Sequence, residues 1–175
     1  MSCQPTPSGK RICAEGAAYL APILNEPTPR VAVMSCEGAC AKGEIARVTA
    51  NLVSYRLARD SVVRLCLGDA VTADSGFSEV VQRAPWVVSV EGCPLCCGSR
   101  ILRTRFPDVA IRAVVATQYY DYDASKFEIH DLAPGEADAI AQKVAPQTLD
   151  AIHPVVNNAA VNANAATSHS KESNH

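Results

Sequence analysis

The chain has 175 residues, of which 48% are hydrophobic and 19% charged, so it can bury the core of one domain but is short for two. Its formal net charge of -2 argues against binding nucleic acid through many neutralised phosphates. It has no apolar run of about 18 residues to span a membrane, and its polar N-terminus, Met1–Lys10, does not resemble a signal peptide. We therefore expect a cytoplasmic protein with neither a nucleic-acid nor a membrane partner.

Composition divides the chain into three stretches. Residues 1–30 carry five prolines and are predicted to be an irregular extension, apart from a short helical turn over Ala17–Leu24. Residues 31–155 are predicted to form a single cysteine-rich α/β domain. Residues 156–175 are rich in Asn, Ala, Ser and His and have little to bury, so a mobile tail is predicted there.

The central stretch alternates short apolar runs, typical of buried strands, with segments of helical periodicity. In chain order the predicted elements are a strand at Val31–Met34, a helix from Ile45 to Tyr55, a strand at Ser61–Leu67, a helix at Phe77–Gln82, a strand at Trp86–Val90, a helix at Gly98–Arg105, a strand at Ala110–Ala116 and a helix at Glu136–Val144. This order predicts an open, mostly parallel four-stranded sheet with helices on both faces.

The eight cysteines are the main anomaly of the composition. In a reducing compartment, clustered cysteines bind metal or perform redox chemistry more often than they form a disulfide framework. Three groups of them lie at or just beyond the carboxyl ends of predicted strands: Cys36 and Cys40, then Cys66, then Cys93, Cys96 and Cys97. Because the carboxyl ends of parallel strands share one edge of a sheet, we expect these thiols to gather at that edge.

The spacing within two of these loops suits a metal ion. Cys36 and Cys40 are four positions apart, as are Cys93 and Cys97, and each pair has an acid–glycine pair beside it. Structural zinc sites use such short spacings, and a helix N-terminus favours the thiolate form that binds the metal. We therefore predict a zinc site formed by these four thiols, with Cys66 as a fifth thiol close by.

The third cysteine loop also supports other chemistry. Cys93-Pro94-Leu95-Cys96 has the spacing of a thioredoxin-like redox pair, placed between a strand and a helix. Four cysteinates also suit an iron–sulfur cluster. The residues thus leave open a zinc protein for metal storage, sensing or structure, a thiol redox or sulfur-handling enzyme, and a cluster protein. The residues do not identify a protein partner, and they do not show whether the chain is an enzyme.

Other side chains are expected near the same edge. Carboxylates at this edge can form hydrogen bonds to the metal ligands or supply an oxygen ligand themselves. They are Glu37, Glu44, Asp69 and Glu91. Arg100 and Arg103, on the helix after the third cysteine loop, can balance thiolate charge. The aromatic run Tyr119–Asp123 follows the fourth predicted strand, where it can cover the thiols.

At these residues the sequence resembles the DGC family of zinc-binding proteins. That family has a cysteine loop after its first strand, a cysteine–leucine pair, and an Asp-Gly-Cys motif with a further cysteine four residues on. The matching parts are Cys36–Gly43, Cys66-Leu67 and Glu91-Gly92-Cys93 through Cys97, within residues 31–117. Glu91 stands where the family has aspartate, and Cys96 is additional to the family pattern. The resemblance implies a zinc role for the cysteines and no particular reaction.

Overall fold

The computed structural model describes residues 4–5 and 9–153, and the tail predicted at 156–175 lies outside them. The strands are β1 (Gln4–Pro5), β2 (Arg11–Ile12), β3 (Val31–Ser35), β4 (Val62–Arg64), β5 (Val87–Glu91) and β6 (Ile111–Val115). The α-helices are α1 (Ala14–Leu24), α2 (Ala41–Leu52), α3 (Leu67–Val71), α4 (Phe77–Arg83), α5 (Cys97–Arg105) and α6 (Glu136–Ile152). None of the helices in this part of the chain has both the length and the apolar character to cross a membrane.

The main sheet has four parallel strands in the order β4-β3-β5-β6, which confirms the predicted α/β class. Strands β3 and β5 lie in its centre, and every residue in both is buried. Runs of β-branched and apolar residues form such strands because both of their faces are covered. Since all four strands run in the same direction, their carboxyl ends share one edge, where the cysteine loops begin. A separate antiparallel pair joins β1 to β2.

Alternate residues of the strands pack into two separate cores. Val31 and Val33 of β3 face a core built with α2 and α6, on what we call the α2 face. Ala32 and Met34 face a second core built with α1, α3, α4 and α5, on the α5 face. The helices that follow β3 and β5 therefore cover opposite faces of the sheet. This division decides where each cysteine lies.

Two helices extend beyond their predicted limits because they bury apolar side chains. Helix α1 spans 11 residues with Pro22 inside it, and its Leu20 is buried, so the stretch predicted to be irregular contains a full helix. Helix α6 contains Pro146 and continues to Ile152, which is also buried. Tertiary burial overrides the poor helix propensity of proline at both positions. Helix α3 was not predicted, and a π-helical turn at Val53–Leu57 prolongs α2.

Candidate functional site

The three cysteine loops lie at the carboxyl edge of the main sheet, and each leads into a helix. Cys40, Cys66 and Cys96 are the N-cap residues of α2, α3 and α5, a position that usually holds Ser, Thr, Asp or Asn. None of the three side chains caps its own helix. Their sulfurs therefore lie near unpaired backbone N–H groups and remain available for another interaction.

Cys36 and Cys40 lie on two sides of the same glycine. A β-carbon placed on Gly38 would lie 3.3 Å from Cys36 Sγ and 3.7 Å from Cys40 Sγ. The backbone N–H groups of Gly38 and Gly92 also lie near Cys36 Sγ. Burial raises the pKa of the Cys36 thiol, and these two N–H groups oppose that rise. Because Gly92 belongs to the loop after β5, Cys36 joins the first and third cysteine loops.

Two glycines allow these loops to meet backbone to backbone. A β-carbon on Gly92 would lie 2.7 Å from the carbonyl carbon and oxygen of Lys42, at the start of α2. A β-carbon on Gly43 would collide with the carbonyl oxygen of Gly38. A side chain at either position would therefore separate the segments, so glycine is required at both positions for steric reasons.

The aromatic run covers part of this edge. The hydroxyl of Tyr120 is buried without a hydrogen-bond partner among the described residues, and Cys40 and Cys93 are among its electrostatic neighbours. Burial, assisted by Tyr122 and these two thiols, raises the pKa of Tyr120 to about 12. The rings of Tyr120 and Tyr122 meet edge to face at 6.5 Å, and Lys42 Nζ lies 4.4 Å from the centre of the Tyr122 ring. We call Cys36, Cys40 and Cys93, which are all partly buried, the inner thiols.

The other two predicted ligands are more accessible. Cys66 and Cys97, which we call the outer thiols, are exposed, and Cys97 lines a groove on the α5 face. Between the two sets, Cys96 is partly buried and adopts a left-handed backbone conformation with φ of 49°. Burial raises the pKa of the Cys96 thiol, as do nearby Glu91 and Cys93. The edge therefore presents thiols in two different environments.

Glu91, at the motif's acid position, is an internal cap for α5. Its side chain is 1% exposed and accepts hydrogen bonds from the hydroxyls of Ser89, at 2.7 Å, and Ser99, at 2.5 Å. It also accepts from the backbone N–H groups of Gly98, at 3.2 Å, and Ser99, at 2.5 Å. A carboxylate at a helix N-terminus is stabilised by these groups and by the helix dipole. Glu91 thus fixes α5, and with it Cys97, to the end of β5.

The remaining carboxylates near the edge already have partners. Arg64, whose side chain is 8% exposed, donates to Glu37 at 2.9 Å, to Ser35 Oγ at 2.7 Å and to Asn51 Oδ1 at 3.1 Å. Glu44 pairs with Arg47 at 2.6 Å, and the hydroxyl of Ser75 donates to Asp69 at 3.1 Å. Arg64 was not predicted as part of this edge, although an arginine between apolar residues of a strand indicates a buried partner.

The donor chemistry fits zinc, but the side chains do not form a ready-made site. Within residues 9–153, no three His, Cys, Asp or Glu side chains converge closely enough to hold a metal ion. All seven cysteines of this part of the chain are free thiols. Soft sulfur donors suit zinc, copper(I) or iron–sulfur clusters. The buried Tyr120 hydroxyl has no hydrogen-bond partner among the described residues, and a thiolate formed at Cys40 or Cys93, its electrostatic neighbours, could supply an acceptor.

Fold and site together define a cysteine-rich α/β domain with free thiols at the carboxyl edge of a parallel sheet. A sequence model of the DGC domain matches residues 32–144, which is more than half of the chain. The protein therefore belongs to the DGC domain family. Comparison with curated proteins and comparison with solved structures each found no match. The matched range includes all three cysteine loops of the edge.

Proposed function

We propose that this domain binds a zinc ion through the inner thiols Cys36, Cys40 and Cys93, which must move closer together to hold it, because the described residues contain no preformed group of three metal-binding side chains. The supporting observation is the buried, unpartnered hydroxyl of Tyr120 with Cys40 and Cys93 as its neighbours. Leaving a hydroxyl buried and unpaired costs about 1–3 kcal/mol. A thiol that has lost its proton to a metal becomes a strong acceptor, so the hydroxyl would gain a partner when the ion binds.

Zinc binding requires the thiols to be deprotonated. Burial raises the pKa of the Cys36 thiol, the nearby N–H groups of Gly38 and Gly92 offset part of that rise, and the metal ion would supply the rest by displacing the proton. Zinc commonly takes four ligands. The fourth ligand would be one of the outer thiols, Cys66 or Cys97, or a water molecule. Bound zinc would hold the first and third loops together, which suits a role in metal storage, sensing or structural closure of the edge.

Zinc content is the direct test. The purified full chain is expected to carry about one zinc ion, because three or four thiolates hold the metal firmly at neutral pH. Cys93→Ser should lose most of this zinc. Cys13→Ser is the matched control, since Cys13 is exposed and its sulfur accepts from Gly16 N at 3.3 Å, as the cap of α1. Cobalt(II) substitution should give a thiolate charge-transfer band in the wild type and the control alone.

The ligand set follows from the same measurements on single variants. Cys36→Ser and Cys40→Ser should lose zinc as Cys93→Ser does, and Cys66→Ser and Cys97→Ser show which outer thiol, if either, completes the site. A chain that remains metal-free after reconstitution with zinc contradicts the proposal. So does a Cys36→Ser variant that retains full zinc content. If the anaerobically purified protein is brown and absorbs visible light, the thiols bind an iron–sulfur cluster and not zinc.

A second candidate function is thiol redox or sulfur-handling chemistry at Cys93, Cys96 and Cys97. The observation that favours it is the left-handed backbone of Cys96, since non-glycine residues in this conformation are concentrated at functional sites. Cys96→Ser should leave the zinc content unchanged and abolish reversible disulfide formation in this loop. Unchanged disulfide formation in Cys96→Ser would remove Cys96 from this function.

A further inference from the structure

A groove of about 620 Å³ lies on the α5 face beside Cys97. One stripe of α5 forms most of its lining, and Val71 of α3 completes it; the α5 residues are Cys97, Arg100, Ile101, Thr104 and Arg105. These positions recur at intervals of three and four residues, so they share one side of the helix. The opposite side of α5 packs Leu102 into the core. The groove has the volume of small-molecule sites, which range over about 300–1,000 Å³.

The charge of this stripe is uncompensated. Neither Arg100 nor Arg105 belongs to an ion pair found among the described residues. Helix α5 contains no acidic residue, although it contains three arginines. Guanidinium groups bind carboxylates in a two-pronged geometry and raise the local concentration of anions. The groove therefore favours an anionic ligand, and a carboxylate is one group that its guanidinium groups can bind.

The rest of the lining defines the other parts of that ligand. Val71 and Ile101 supply apolar surface, and Ile101 is 46% exposed. Cys97 places an exposed thiol in the same groove, at the first residue of α5. A ligand that uses all three features has carboxylates, an aliphatic stretch and a sulfur that a thiol can attack. A small disulfide with carboxylate groups at its ends combines them.

We propose that this groove binds small anionic disulfides and exchanges them at Cys97. The Cys97 thiolate attacks one sulfur of the ligand, so a bond from Cys97 Sγ forms as the disulfide bond of the ligand breaks. Cys97 is oxidised to a mixed disulfide, and the departing half of the ligand is reduced to a thiolate. That thiolate takes up a proton from water, which replaces the proton that Cys97 lost to water. Arg100 and Arg105 hold the carboxylates during the exchange.

This inference rests on the second candidate function and gives it a substrate class. It does not require zinc at the inner thiols, because the groove and Cys97 lie on the opposite face of the sheet from α2. The two proposals therefore fail separately when Cys66 or water is the fourth zinc ligand, whereas Cys97 as the fourth ligand would exclude its exchange. A Cys36→Ser, Cys40→Ser double variant should lose zinc and still exchange disulfides at Cys97.

The test compares an anionic probe, glutathione disulfide, with a cationic one, cystamine, on the full chain at low salt. Peptide mass spectrometry gives the rate at which each forms a mixed disulfide at Cys97. Arg100→Gln combined with Arg105→Gln should slow the reaction with glutathione disulfide about tenfold, because two charges near the reacting ligand are lost. The same variant should react with cystamine at least as fast as the wild type. Arg56→Gln combined with Arg59→Gln removes two exposed charges outside the groove, so it is the matched control and should change the glutathione disulfide rate by less than about twofold.

Three results would overturn the inference. The first is an equal effect of the Arg56→Gln, Arg59→Gln double variant, which would show a general charge effect with no role for the groove. The second is faster mixed-disulfide formation at Cys66, the other outer thiol, than at Cys97. The third is protection of Cys97 by zinc in the wild type, which would make Cys97 a metal ligand. Circular dichroism of each variant verifies that the fold is intact, and the exposed positions of the arginines favour this outcome.

Discussion

The loops after β3 and β5 begin from the same sequence spacing and reach different environments. After β3, Cys40 is the N-cap residue of α2, is partly buried and is an electrostatic neighbour of Tyr120. After β5, Cys97 starts α5 on the opposite face, where it is exposed in a groove beside Arg100. The parallel sheet therefore determines which edge a thiol occupies, and the face covered by the following helix determines how accessible that thiol is.

The acid–glycine pairs of the two loops differ in the same way. Glu37 is exposed and pairs with Arg64 across the ends of β3 and β4. Glu91 is the last residue of β5, and its carboxylate is buried against the first turn of α5. One acid holds neighbouring strand ends together at the surface. The other is part of the interior and determines where the third cysteine loop lies.

Replacing Glu91 by alanine should have the largest effect. Ser89, Gly98 and Ser99 would keep buried donors with no acceptor, and a cavity would form, so we expect a loss of about 3 kcal/mol or more in the free energy of unfolding. Chemical denaturation measures it. Glu37→Ala is the matched control: Glu37 is exposed, and the largely buried Arg64 side chain keeps Ser35 Oγ and Asn51 Oδ1 as acceptors, so we expect a loss of about 1 kcal/mol or less. Equal losses would refute the difference between the two acids.

Gly92→Ala should have the next largest effect. The new β-carbon would lie 2.7 Å from the backbone of Lys42, so α2 and the third loop must move apart. We expect a loss of about 2 kcal/mol in the free energy of unfolding, as for other overpacked sites, together with a lower zinc content. Gly68→Ala is the control, because its β-carbon would approach nothing closer than Cys66 Sγ at 3.9 Å. If both variants bind zinc as the wild type does, contact between the loops is irrelevant to the metal.

The sequence was sufficient to predict that the cysteine loops share one edge of the sheet, because each central strand is a short apolar run that can be recognised locally. The apolar runs at Val31–Met34 and Trp86–Val90 became β3 and β5 with small shifts at their ends, and alternation with helices predicted their parallel direction. Once the strands are parallel, the cysteines that follow them must share an edge. The face reached by α2 or α5 depends on packing between distant segments, and no local spacing encodes it.

The role of Glu91 was missed for a related reason. A carboxylate after a strand and beside cysteines suggests a ligand, whereas its partner Ser99 lies eight positions further along the chain. Only the turn through Cys96 brings Ser99 back to Glu91. Helices α1 and α6 show the same limit, since the burial of Leu20 and Ile152 by other elements outweighs their internal prolines.

Tyr120→Phe should have the smallest effect, with a sign that depends on the metal. In the zinc-free protein it removes a buried hydroxyl without a partner, so we expect a gain of up to about 1 kcal/mol in the free energy of unfolding. In the zinc-loaded protein the hydroxyl would donate to a thiolate, so the same change should destabilise it by about 1 kcal/mol. Denaturation with and without zinc measures both. Tyr122→Phe is the control, since the Tyr122 hydroxyl already donates to the carbonyl of Lys126 at 3.0 Å.

Alkaline unfolding of the zinc-free protein tests the same hydroxyl independently. The pKa of Tyr120 is raised from its ordinary value of 10.0 to about 12, mainly by burial. Below pH 10 both the folded and the unfolded chain keep this proton, so its contribution to stability is complete. As the pH rises from 10 towards 12 the unfolded chain releases the proton first, and the folded chain loses stability. Wild-type protein should therefore lose more stability than Tyr120→Phe over this interval. Parallel curves for the two proteins would mean that the hydroxyl of Tyr120 is open to water, which would remove the main support for zinc at the inner thiols.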